Sequence, residues 1–119
     1  MSLLVLTAED VAKASANLSS DELMAMMGDV FLLVHTGTGS TLPQRIGISS
    51  SAHNTLFMPA RIDRLGTAIK VVSVPTQKSG LGLPGTTLVL DETTGAARAV
   101  VNAGSLTAVR NAAGTIANF

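Results

Sequence analysis

Ala68-Ile69-Lys70-Val71-Val72-Ser73-Val74 is the stretch on which the reading of this chain turns. β-Branched and apolar residues dominate it, and such side chains fit a pleated, half-buried surface. Residues 68–74 are therefore predicted to form a strand. A single cation, Lys70, interrupts the run. A charge in apolar surroundings needs an anionic partner, because leaving it buried and unpaired is costly.

Similar runs recur on both sides. Strands are predicted at 42–48, 56–62, 86–90 and 98–101, with Gly, Ser, Thr and Pro between them, and a short apolar strand at 3–6. Asp91-Glu92-Thr93-Thr94-Gly95 suits a hairpin loop in which Gly95 takes positive φ. Thr7 followed by Asp10 opens a helix to about Asn17, and Ser19-Ser20-Asp21-Glu22 opens a second. In the second, Leu23, Met26, Met27, Val30, Phe31 and Val34 recur at helical spacing as far as Gly37. Met24, Met26 and Met27 read as core, and His35 as a partner of the helix dipole. A third helix is predicted over 104–118, with Leu106, Val109, Ala113 and Ile116 on one side. The expected fold is α+β: a mixed, mainly antiparallel sheet of about five or six strands with two or three helices.

Residues 1–119 make one domain by length. Hydrophobic residues are 46% of the chain and charged residues 13%, more apolar surface than a small monomer readily hides, so a sheet-mediated homodimer is expected. Eight basic and eight acidic residues with no like-charge block argue against nucleic acid and anionic membrane as partners. With no Trp or Tyr and three Phe there is no stacking platform for bases or sugars, which leaves a small molecule as the expected ligand. The lack of cysteine removes disulfides, thiol nucleophiles and thiolate metal sites, and no metal is expected. The apolar start is too short for a signal or membrane segment and is followed by Glu9 and Asp10, so a cytoplasmic location is expected.

Gly80-Leu81-Gly82-Leu83-Pro84-Gly85 spells a dinucleotide fingerprint. That fingerprint works only between a strand and a helix N-terminus, whose free N–H groups and dipole bind the pyrophosphate. Here a Lys-Ser loop precedes the glycines and a predicted strand follows them. The expectation is a loop, with no cofactor bound through it.

Four further stretches, in order, resemble the first half of ornithine cyclodeaminases and μ-crystallins. They are Leu42-Pro43-Gln44-Arg45; Phe57-Met58-Pro59-Ala60; Leu65-Gly66-Thr67-Ala68-Ile69-Lys70-Val71-Val72; and Thr94-Gly95 followed by Leu106-Thr107-Ala108-Val109-Arg110-Asn111-Ala112-Ala113. The resemblance implies an N-terminal substrate-binding domain whose sheet pairs with a second subunit. It also implies a substrate carboxylate held by two arginines and a lysine, at positions matching Arg45, Lys70 and Arg110, with Met58 and Thr107 in the same pocket. Arginine suits bidentate carboxylate recognition, and a lysine beside two guanidinium groups could move protons. For each cation alone, the alternative is a head in solvent or a pairing with Asp63 or Asp91. His53, read as a loop residue ahead of the Met-Pro segment, is a second candidate acid or base.

The sequence also departs from the family. Asn111 stands where a threonine is usual, and Thr55-Leu56-Phe57-Met58 lacks the acidic residue that ornithine cyclodeaminases place there. The nucleotide-binding half does not fit in 119 residues. The leading expectation is therefore a cofactor-independent cyclase, isomerase or lyase, acting through Lys70 on a small carboxylate, carbonyl or imine. One alternative is the substrate-binding half of an NAD(P)-dependent ketimine reductase or cyclodeaminase, truncated or completed by a partner. Another is a non-catalytic small-ligand-binding module. Titrating NADPH into this chain in a calorimeter is expected to give no saturable heat of binding. Saturable binding that disappears in Gly82→Val would show that the glycines bind nucleotide after all.

Overall fold

A computed structural model describes residues 2–77 and 83–104. In chain order the elements are β1 (Leu4–Leu6), α1 (Ala8–Ala16), α2 (Ser20–Thr36), β2 (Ser40–Thr41), β3 (Ile46–Ser49), β4 (His53–Ile62), β5 (Gly66–Pro75), β6 (Gly85–Leu90) and β7 (Ala97–Asn102). All seven strands belong to one sheet, of order β1-β7-β6-β5-β4-β2, with β3 also paired to β4. Among the described residues only the β1–β7 pair is parallel. The fold is thus α+β with a mainly antiparallel sheet, as expected; the predicted helix over 104–118 lies almost wholly outside the described residues.

The centre of the sheet is the long hairpin of β4 and β5, ten residues each, paired from His53–Pro75 to Ile62–Gly66. Its turn puts Arg64 at φ 73° and Gly66 at φ 108°, and the Leu65 N–H closes it on the Ile62 carbonyl. Two boundaries differ from the sequence reading. The strand expected at 42–48 is divided into β2 and β3 by residues 42–45. Pro43 has no N–H and restricts Leu42 before it, which suits a break at this point. The strand expected from 56 begins at His53.

Pro59 has a place in this arrangement. β3 pairs with β4 as far as Phe57, and β2 pairs with it from Arg61. Between them Met58, Pro59 and Ala60 have a paired neighbour on one side only, β5. A residue without an N–H is tolerated where a ladder is open in this way. β4 therefore carries a notch in its outer margin, next to the segment that ends in Arg45.

Both helices start with the reciprocal bonds read from the sequence. Thr7 Oγ1 accepts from the Asp10 N–H (3.2 Å) while Asp10 Oδ2 accepts from the Thr7 N–H (3.0 Å). Ser19 and Glu22 do the same at α2. α2 ends at Gly37 in the left-handed conformation, φ 72°, its N–H shared between the Leu33 and Val34 carbonyls. α1 packs on β1 and β7 and buries Val11. α2 buries no residue, and Met26 is 48% exposed, so the methionines do not form the core expected of them. Among the described residues only Val11 and Ala103 are buried apolar residues. No described helix is long and apolar enough to cross a membrane.

The loop from Asp91 to Gly95 is organised by one carboxylate. Asp91 Oδ1 accepts from the Thr93 N–H (3.0 Å), the Thr94 N–H (2.8 Å) and the Thr94 hydroxyl (3.1 Å), and Gly95 takes φ 74°. These bonds, those from Thr94 first, hold the Asp91 carboxyl below its ordinary range.

Two measurements test these local assignments. Ser19→Ala and Gly37→Ala should each lower stability by about 1 kcal/mol in urea unfolding, through loss of a cap and through a side chain forced to positive φ. Because the folded Asp91 pKa is depressed, its contribution is fully present above the unfolded value, about 3.9, and is lost as pH falls through the lower folded value. Asp91→Ala should therefore be less stable than the parent at pH 6, with the difference shrinking below about pH 4.

Candidate functional site

Lys70 lies mid-strand on β5. Directly opposite it are Met58 on β4 and Thr87 on β6. Thr87 in turn faces Val101 on β7, which faces Leu6 on β1. These five residues form one row across five strands, at spacings of about 4.8 Å. Since side chains alternate between faces, Leu56, Ala60, Ala68 and Val72 flank the row on the same side. Lys70 is half-buried there.

The charge pattern of the strands is one-sided. None of the seven contains Asp or Glu; His53, Arg61, Lys70 and Arg98 are their ionisable residues. Arg61 is three positions from Met58 and so projects from the opposite face. Its Nε donates to Glu92 Oε1 at 2.8 Å, and its other guanidinium nitrogens reach Asp63 and Glu92. Those carboxylates, Glu92 foremost, raise the Arg61 pKa above its ordinary value. This group, which the sequence reading did not single out, ties the β4–β5 turn to the β6–β7 loop. Asp63 is thus engaged by Arg61, and Asp91 by its own turn.

The remaining sequence candidates fall into three groups. Arg45 is exposed and stands just outside β3, so the expectation that it lies on a strand is corrected. The next residue, Ile46, pairs with Phe57, so Arg45 enters β3 from the end of its ladder nearest Met58. His53 opens β4 rather than occupying a loop. It is five positions from Met58 and therefore on the other face, roughly 17 Å along the strand. Its backbone is bound to Ser50, whose Oγ accepts from the His53 N–H at 3.1 Å. The register thus puts His53 on the other face from Lys70 and Met58. Arg110 and Thr107 lie outside the described residues.

The glycine stretch ends in a strand: Gly85 is the first residue of β6. A nucleotide cradle of the fingerprint type requires a helix N-terminus there, so the described residues do not fit one. Nor do any three His, Asp or Glu among the described residues form a group suited to a metal. A separate cleft of about 210 Å³ lies where Met26, Val30 and Leu33 of α2 meet Asp63, Arg64 and Leu65 of the β4–β5 turn. It contains none of the residues discussed above as ligand-binding.

No protein-family model and no curated protein sequence matches the chain. Solved structures do. An archaeal alanine dehydrogenase dimer with bound NAD aligns with 95% of this chain at a TM-score of 0.80 and 26% identity. Thermococcus litoralis Δ1-pyrroline-2-carboxylate reductase, in complex with NADH and L-proline, aligns with 97% at 0.77 and 27%. A lysine cyclodeaminase that recognises L-lysine, L-ornithine and L-2,4-diaminobutyric acid aligns with 95% at 0.76 and 30%. The chain spans 35%, 36% and 36% of the lengths of these three proteins. Its structural neighbours are thus members of the ornithine cyclodeaminase/μ-crystallin family, whose fold it carries over about one third of their length.

Proposed function

We propose that this chain is the carboxylate-binding unit of an amino-acid or imino-acid enzyme, with Lys70 as the central anion-binding group. The observation that supports this reading is the Met58–Lys70–Thr87 row, which sets a half-buried cation in the middle of the sheet with Leu56, Ala60, Ala68 and Val72 flanking it on the same face. Arg45, which precedes Ile46 at the start of β3, would approach the same anion from the edge of the sheet. Arg110 and Thr107 complete the proposed set on the strength of the sequence resemblance. Guanidinium and ammonium groups on an otherwise apolar surface recognise a carboxylate by charge-assisted hydrogen bonds.

The chain's residues would bind and orient the substrate and hold a proton at Lys70 Nζ. A nicotinamide, when bound by a nucleotide-binding unit, would supply hydride exchange at the substrate carbon. Cofactor-independent cyclase or isomerase chemistry uses the same Lys70, but it loses its second acid–base candidate because β4 turns His53 to the other face. We therefore place the substrate-binding role first.

The same reading includes a homodimer. Leu4 and Val5 on β1 are 60% and 64% exposed, and Ile46 and Ile48 on β3 are 63% and 59% exposed. β1 is one margin of the sheet and β3 lies at the other. Apolar side chains on open strand margins invite a covering partner.

Isothermal titration of the chain with L-proline and with pyruvate should show saturable binding that weakens at least tenfold in Lys70→Met and in Arg45→Gln, for loss of a charge-assisted contact. Binding unaffected by both substitutions would place the anion site elsewhere.

A further inference from the structure

We infer that the cleft between α2 and the β4–β5 turn is a second small-ligand site, which takes an aliphatic α-amino acid in its zwitterionic form. The cleft shares no residue with the Lys70 row and stands independently of the carboxylate-binding reading. Its walls are apolar: Met26, Val30 and Leu33 follow one another at helical spacing on α2, and Leu65 of the turn completes the lining. At about 210 Å³ it is smaller than the roughly 300–1,000 Å³ of sites for drug-sized ligands, which suits a small metabolite. One end is pinned, since the Asp63 N–H donates to the Gly39 carbonyl at 2.8 Å. A Cβ on Gly39 would meet Asp63 Oδ2 at 3.2 Å and Leu33 Cδ2 at 3.3 Å, so glycine lets the chain leaving α2 lie against both walls.

Two opposite charges line the same cleft without meeting. Asp29 comes from α2 and Arg64 from the turn, and among the described residues neither makes an ion pair or a side-chain hydrogen bond. The positions three and four residues from Asp29 hold Ala25, Met26, Leu32 and Leu33, so its own helix supplies no cation. Asp63, the third charge of the lining, is engaged by Arg61. Arg64 is also the one residue other than glycine, among those described, with a positive φ, 73°. A side chain with a Cβ is disfavoured in that conformation, and such outliers gather where a ligand is held. A zwitterion satisfies both groups together. Its carboxylate can take paired hydrogen bonds from the Arg64 guanidinium while its ammonium donates to Asp29. An aliphatic side chain then gains from contact with Met26, Val30, Leu33 and Leu65.

Methionine reports on the two sites separately, because Met26 lines the cleft and Met58 lies in the Lys70 row. With the methionine methyls isotopically labelled, L-leucine titrated into the full chain should shift the Met26 NMR signal saturably. Isoamylamine, which lacks the carboxylate of leucine, and isocaproate, which lacks its ammonium, should each bind roughly tenfold more weakly or worse, for loss of one charge-assisted contact. Asp29→Asn and Arg64→Gly should weaken leucine to the same degree. Both substitutions should keep the fold, the first being isosteric and exposed and the second placing glycine at positive φ. No saturable shift at Met26, or analogues or variants that bind as tightly as leucine to the parent, would overturn the proposal. A shift confined to Met58 would also overturn it, while supporting the carboxylate site at Lys70.

Discussion

The register of β4 against β5 is the constraint on which the rest of the molecule depends. Ten consecutive pairs link the two strands, and every assignment of a side chain to a face follows from them. Alternation has a period of two, so a slip of one residue would carry Lys70 to the other side and bring Ile69 or Val71 into its place. The turn holds the register from one end. Arg64 and Gly66 adopt positive φ to close it, and Arg61 clamps Asp63 beside it and Glu92 across the sheet. This carboxylate clamp lies on the face opposite Lys70, at the turn end of the same ladder.

The candidate site sits where this central hairpin is least covered by neighbouring strands. β2 and β3 share β4 as a partner and leave Met58, Pro59 and Ala60 between them. The two prolines fit the gap from both sides: Pro59 lacks an N–H where no neighbouring strand is paired, and Pro43 lies in the segment that leaves the sheet. Lys70 is one strand inward from the gap and Arg45 stands at its rim. The same local break that interrupts the sheet leaves the row that includes Lys70 without a paired strand beyond Met58.

Much of this was legible in the sequence. The cores of β5 and β6 announced themselves through Val71-Val72-Ser73-Val74 and Thr87-Leu88-Val89-Leu90, and the helix starts through Thr7/Asp10 and Ser19/Glu22. What was hidden depended on pairing over distance. Ser40 and Thr41 read as a loop because nothing local favours a strand; they become one by meeting Arg61 and Ile62. His53 and Asn54 read as a loop for the same reason and are strand residues because Pro75 and Val74 stand opposite. Lys70 and Met58 could be chosen from the sequence, but that they face each other, and that His53 does not join them, required the register. The methionines of α2 were misjudged because helical periodicity identifies an apolar face without showing what lies against it.

The parallel pairing of β1 with β7 joins Leu4 to Ala99 and Leu6 to Val101, almost the two extremes of the described chain. On a growing polypeptide β1 cannot pair with β7 until the other described strands of the sheet have been made. The central hairpin, whose strands adjoin in sequence, closes a short loop at small entropic cost, while β1 must close a very long one. Loop length therefore favours closure of the central hairpin before β1 joins β7, which ties the strand that opens the sheet to the one that ends it in chain order.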